Sequence, residues 1–421
     1  MSPDRFRVYG YRWVVLAVFV FVNLTIQMLW IPFGSITLEA AKFYNVSSLQ
    51  IGLLAMTFMI VYIPVSLPIS WVIDTFGFYK AVSAGAVLMA VFGILRGLLG
   101  GSYLPVVLCT IGLAVAQPFF LNSWTKVAAR WFPLEERATA AGLAAIANFI
   151  GIGLALVLTP LVVASISIPE MLLAYGGLAA LSSVLFILFA REAPPTPPCP
   201  PEMEARALVL DGLRSLVHSR PFWILMVLFL VGMGAFNGIS TWIENIVSPR
   251  GFSPDQAGVL GGLLLLGAIV GAIILPILSD KFHRRVPFIL IGILGSIPGL
   301  VGLAFGHTYP LLMLSIFSYG FFMVSLAPIG YQYAAELTYP VPEGTSNGML
   351  TLAGQASVVF IYAMDAMKGA DGSFTLSLVI LTVLVALCAF LVTRLREANP
   401  AASPFSSGAP EGNPEPQPAS D

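Results

Sequence analysis

The sequence predicts an all-α polytopic membrane protein with twelve transmembrane helices in two pseudo-symmetric six-helix halves. Three observations predict it. Of 421 residues, 58% are hydrophobic and only 10% are charged, where a soluble domain carries about 25% charged residues. Twelve apolar runs are each about as long as the roughly 20 residues that cross a hydrocarbon core. Basic residues collect in alternate connectors, the pattern that orients a membrane protein.

The elements follow in order. Arg5, Arg7 and Arg12 precede an apolar run that starts at Trp13. The run is too long for a signal peptide and lacks a small-residue cleavage site, so it reads as the first span, 12–36. Further spans are expected at 49–73, 80–99, 103–124, 138–164, 170–190, 221–247, 254–278, 286–306, 309–330, 343–366 and 374–394. Short polar connectors separate them, such as KFYNVSS (42–48) and SPRGFSP (248–254). The organisation is therefore an N-terminal half (1–190), a linker (191–220), a C-terminal half (221–397) and a tail (398–421). The linker opens on PPTPPCPP, and Pro-rich chain extends. The tail is Pro, Ser, Ala and acid, a composition that cannot bury enough apolar surface to fold.

Of the 20 basic residues, 16 fall in the segments that share a side with the N-terminus. Only Lys42, Arg250 and Lys368 fall opposite, and Arg96 lies inside a span. This bias places both termini in the cytoplasm and makes the cell membrane the expected location. The net charge of −1 gives nucleic acid no surface to bind. Cys109, Cys199 and Cys388 have neither disulfide nor metal spacing, and the first and last read as apolar fillers.

The chain repeats itself. SWVIDTFGFYK carries Asp74 at the end of the second span, and PILSDKFHRR carries Asp280 at the end of the eighth, 206 residues on. RWFPLEERATAAG and LTYPVPEGTSNG align at an offset of 207, Glu136 on Glu343. Two pairs at nearly one offset imply two halves of the same handedness.

Those same residues carry a family resemblance. Asp74-x-x-Gly77-x-x-Lys80 resembles the major facilitator signature between the second and third spans, and WFPLEERA the one between the fourth and fifth. Ser70 stands where Gly is usual, Thr75 where Arg is usual, and His283 replaces the Gly of the second copy. The resemblance implies a gate on the inner side built from Asp74, Gly77, Lys80, Asp280, Arg284, Arg285, Glu136 and Glu343. In it, an Asp faces the positive N-terminus of a helix in the other half. Topological charges and helix caps are the plain alternative for these positions.

Within the facilitators, AAELTYP-x-x-EGTS-x-G in 328–350 is similar to the feline leukaemia virus subgroup C receptor-related family. SWVIDTFG and LAVAQPFFLNSWTKVAARWF (113–132) fit the same family. That family is linked to choline and ethanolamine transport, with heme also proposed. By position it implies a cargo site of Trp30, Gln117 and Gln355. Its seventh-span Tyr falls on Asn237, and Trp242, further along that span, is a candidate substitute.

Independently of the family, polar side chains inside spans are costly and point to function. They are Asn23, Gln27, Gln117, Asn122, Asn148, Asn237, Gln332 and Gln355. Interhelical hydrogen bonding is the plain alternative for any one of them. Glu39, Glu244 and Asp365 fall near outer span ends, a vestibule that favours cations. No acid lies deep in the first, fourth or fifth run, and His218, His283 and His307 are in or beside loops. This favours facilitated diffusion over proton symport, and it weakens heme, whose iron takes a His, Met, Cys or Tyr ligand. No HExxH or phosphate loop occurs, so no enzyme, catalytic residue, metal or cofactor is expected. The expectation is a monomeric carrier of a small polar or cationic solute. A heme-type exporter and a non-transporting sensor are the alternatives.

Overall fold

The structure, a computed structural model, describes residues 7–196, 198, 216, 218–282, 284–338 and 343–397, and at 74, 125, 134, 135, 137–139, 141 and 343–345 the backbone alone. The expected tail, most of the linker, Cys199 and His283 lie outside the described residues.

Among the described residues, twelve helical spans are long and apolar enough to cross a membrane. They are α1 (Arg12–Trp30), α2 (Ser48–Ile73), α3 (Phe78–Leu98), α4 (Tyr103–Trp131), α5 (Gly142–Val163), α6 (Ile168–Phe189), α7 (Arg220–Arg250), α8 (Pro254–Phe282), α9 (Val286–Phe305), α10 (Tyr309–Thr338), α11 (Ser346–Ala366) and α12 (Thr375–Val392). Below, the termini end is where α1 starts and α12 finishes, and the far end is the opposite one.

Several spans are interrupted. α1 stops at Trp30, a 3₁₀ turn follows at Pro32–Ser35, and a short helix runs over Thr37–Tyr44. The expected first span, 12–36, was too long because Pro32 cannot continue the hydrogen-bond ladder. α4 breaks between Leu121 and Trp124, α10 at Ser325 and α11 at Ser357. α7 kinks at Trp242, which has φ −104° and ψ 17°.

Local sequence explains many of the helix starts. At the far end, Ser47 and Gln50 form a reciprocal capping box on α2, as do Ser167 and Glu170 on α6. Ser253 and Gln256 exchange the same two bonds at the start of α8. At the termini end α7 is capped by its own Ser219, but α3 and α9 are capped from a distance. Glu192, just after α6, accepts the backbone N–H groups of Phe78 and Tyr79 at the start of α3 (3.3 and 2.7 Å). Glu397, just after α12, does the same for Arg285 and Val286 at the start of α9 (3.0 and 3.1 Å).

Packing falls into two sets. α1, α2, α3, α4, α5 and α6 pack among themselves, as do α7 to α12. The sets meet where α5 lies along α8, where α2 meets α11, and where α7 crosses the 32–44 segment. Much of the described contact between them is at the far end. A Cβ on Gly34 would come within 2.7 Å of the Ser240 carbonyl, and one on Gly258 within the same distance of the Leu156 carbonyl. Gly52 leaves its space to the ring of Trp242. The far end is thus sealed by backbone pressed on backbone and on one indole.

Candidate transport site

The site is built around α1 and α4. The Gln117 carboxamide donates to Gln27 Oε1 at 3.1 Å, and the two side chains are 4% and 7% exposed. A turn earlier, Trp124 donates its indole N–H to Asn23 Oδ1 (2.9 Å). Gly151 of α5 presses on the Leu24 carbonyl and the Gln27 side chain, so the pair is walled by three helices. Inside a span such bonds hold helices together and leave further donor and acceptor capacity on each carboxamide.

Trp30 is the last residue of α1, and its N–H donates to the Ala55 carbonyl of α2 (3.0 Å). That bond fixes the ring. The ring lines a cavity of about 10 Å³ with Phe33, Gly34, Thr37, Gly52, Ala55 and Thr241. This is about the room one water takes, so the far side of Trp30 is closed to any solute. The hydroxyls of Ser35, Ser240 and Thr241, in this same region, have no hydrogen-bond partner among the described residues.

On the other half, Asn237 donates to Ser357 Oγ (3.3 Å) at the break in α11. Gln355 sits just before that break, half-buried, and makes no hydrogen bond among the described residues. Trp30 thus follows Gln27 by three residues on α1, and on the other half Asn237 bonds Ser357, two residues beyond Gln355. Among the described residues, no hydrogen bond joins the two groups to each other.

Trp242 lies elsewhere. It is fully buried, donates to the Ile361 carbonyl (3.0 Å) and packs on Phe374, ring centroids 5.8 Å apart. Five residues beyond Asn237 is well over one turn, and the kink at Trp242 turns it further, so it faces the seal.

Two polar side chains, Tyr62 and Ser66, escaped the sequence reading. Tyr62 donates to Asn122 Oδ1 (2.6 Å), and Asn122 donates to Ser66 Oγ and Ser70 Oγ (3.1 and 3.0 Å). This network ties α2 to the break in α4. Ser70, the departure from the facilitator signature, is one of its acceptors. The only signal in the sequence was Asn122 itself, a polar residue within a span.

The gating candidates pair inside their own halves. Arg12 forms an ion pair with Glu136 (2.9 Å) in the helix that leads into α5. Arg285 pairs with Asp280 and with Glu336 (3.0 Å). Asp280 thus answers to a basic residue of its own half, where a helix of the other half was expected. Arg284 and Lys80 are exposed. The side chains of Asp74 and Glu343 lie outside the described residues. Gly77 has φ +86°, and a Cβ there would sit 2.5 Å from the Glu192 carboxylate that caps α3. Only glycine meets both demands without strain.

Two far-end charges are buried. Arg96 is 1% exposed, donates to the Leu29 carbonyl at the end of α1 (2.7 Å) and lies over the Phe33 ring (5.3 Å). Burial pushes the nearby Tyr44 phenol up to about 12, with Arg96 pulling it back, so Tyr44 stays neutral and gives Arg96 no counter-charge. Glu244 is no open vestibule acid: it is 3% exposed, and its Oε2 accepts the Leu38 N–H at 2.7 Å.

Comparison with known proteins bears on this arrangement. The Major Facilitator Superfamily profile matches residues 14–253 and 244–420. The chain is 32% identical over 371 residues to solute carrier family 49 member A3 of Xenopus tropicalis, covering 83% of this chain and 76% of the relative. It is 29% identical over 411 residues to the choline/ethanolamine transporter FLVCR2 of Homo sapiens, covering 91% and 78%. Among solved structures, an inward-facing, unoccupied bacterial homologue of the lysosomal transporter Spinster superposes with TM-score 0.75 at 15% identity, covering 92% of this chain and 97% of that one. The nucleoside transporter NupG gives 0.69 at 14%, covering 90% and 99%.

Proposed function

Because the chain belongs to the major facilitator superfamily, and is related within it to the solute carrier 49 and FLVCR transporters, we propose that it moves a small polar or cationic amine, such as choline or ethanolamine, across the cell membrane by alternating access. The observation that carries this reading is the buried Gln27–Gln117 pair with the Trp30 ring one turn away on α1. An indole face attracts a cation with about 0.5–2 kcal/mol. Two carboxamides bond a hydroxyl or an amine without asking for a fixed charge. Trp30 holds its N–H on Ala55, which keeps the ring in place while a face remains for cargo once the cavity opens.

The second wall is Asn237 and Gln355, both polar, in place of a second aromatic. Cargo is held between the halves, and the sealed far end is one gate of the cycle in its shut form. The basic-residue bias puts both termini in the cytoplasm. The test is uptake of labelled choline and ethanolamine by proteoliposomes. Accumulation that drops in Gln117→Ala supports the reading. Binding of anions in preference to amines, or no amine movement at any concentration, overturns it.

A further inference from the structure

The short helix Thr37–Tyr44 has no cap of its own. Its N-cap residue is Ile36, which offers no side-chain acceptor. The acceptor comes from the other half of the molecule. Glu244 of α7 reaches across 206 positions of sequence and takes the Leu38 N–H at 2.7 Å. A carboxylate at a helix N-terminus is favoured both by the free N–H groups and by the helix dipole. Its burial removes the water that would otherwise compete. The described ion pairs lie elsewhere, so no basic residue among them neutralises Glu244.

We propose that Glu244 is the far-end latch: a carboxylate on one half that caps a helix on the other, so that the far end parts only by uncapping that helix. This rests on the alternating-access reading above. The contacts around it are apolar or backbone-on-backbone, such as Gly34 on Ser240 and Gly52 on Trp242. Those contacts fit together without choosing a register. The Glu244–Leu38 bond is directional and supplies one. When the far end opens, Glu244 and the exposed Glu39 both face the same mouth, and water takes the place of the Leu38 N–H.

The experiment needs no solute, so it stands or falls apart from the cargo reading. Ser35 is fully buried inside the seal. Ser35→Cys is placed in a chain whose Cys109, Cys199 and Cys388 are replaced, and the purified protein is labelled with a maleimide in detergent. Glu244→Leu removes the latch and should speed labelling roughly two- to thirtyfold, the range a helix cap is worth. Leu38→Pro removes the Leu38 donor in a first turn that accepts proline, and should act in the same direction. The double variant should label no faster than either single one. Glu244→Gln keeps an acceptor and should stay near wild type. Unchanged labelling in both single variants, or effects that add in the double variant, overturns the latch. If Glu244→Leu does not fold, Leu38→Pro alone decides.

Discussion

Glu192 and Glu397 stand 205 positions apart and make equivalent contacts, since each leaves the last helix of its half and caps the third helix of that half from outside. The repeat seen in sequence through Asp74 and Asp280 is thus also a repeat of contacts. Each carboxylate closes a six-helix set by joining its end to its middle.

Loss of that closure should be measurable. Glu192→Ala removes a two-bond cap and should cost about 1 kcal/mol. Gly77→Ala places a methyl against the same carboxylate at a positive φ and should cost more. Thermal unfolding in detergent orders the two. Equal midpoints for wild type and Glu192→Ala would remove the cap from the account.

The cargo site makes a second prediction. Gln117→Leu leaves Gln27 buried and unpaired, a penalty of about 1–3 kcal/mol. Gln27→Leu with Gln117→Leu removes both partners and should regain much of that stability, yet bind choline no better. Trp30→Phe keeps a weaker π-face and should weaken choline binding less than Trp30→Ala. Ligand-dependent thermal shifts read both quantities at once. Choline affinity that survives the double leucine variant would move the site elsewhere.

The far seal makes a third. Gly52 has no room for a Cβ because the Trp242 ring fills the space. Gly52→Ala should therefore push the far end apart and raise maleimide labelling of Ser35→Cys. Trp242→Phe in the same chain returns space and should restore part of the protection. Labelling that ignores Gly52→Ala would show that the ring yields instead.

Orientation is the fourth. Ala205→Cys, in a chain without the other cysteines, should resist impermeant thiol reagents added to intact cells and react once they are opened. Lys42→Cys and Lys368→Cys should react in intact cells. The reverse pattern would invert the topology.

The spans were legible because hydrocarbon imposes one length on every crossing. Their breaks were not all so plain. Pro32 marks one, but Asn122 and Ser357 sit at breaks where they bond other helices, and Ser325 at one where it bonds back to the Phe322 carbonyl, and no local pattern announces these. Gln27 and Gln117 stood out as polar residues in apolar runs, although which one meets which depends on helix packing. Glu244 read as a vestibule acid, and nothing in the sequence singled out Glu192 or Glu397. Their partners are backbone N–H groups, which carry no residue identity for a sequence to display. Asp280 shows the same limit from the other side: spacing revealed its twin, and only packing assigned it to Arg285.

The interruptions in α1, α4, α7, α10 and α11 bear on how the gates communicate. An unbroken helix is a stiff lever, and a tilt at one end arrives at the other. A jointed one absorbs the tilt at its joint. With five jointed spans beside seven unbroken ones, part of a tilt at one gate is taken up at the joints, while the unbroken spans, α5 and α8 among them, carry the rest to the other gate.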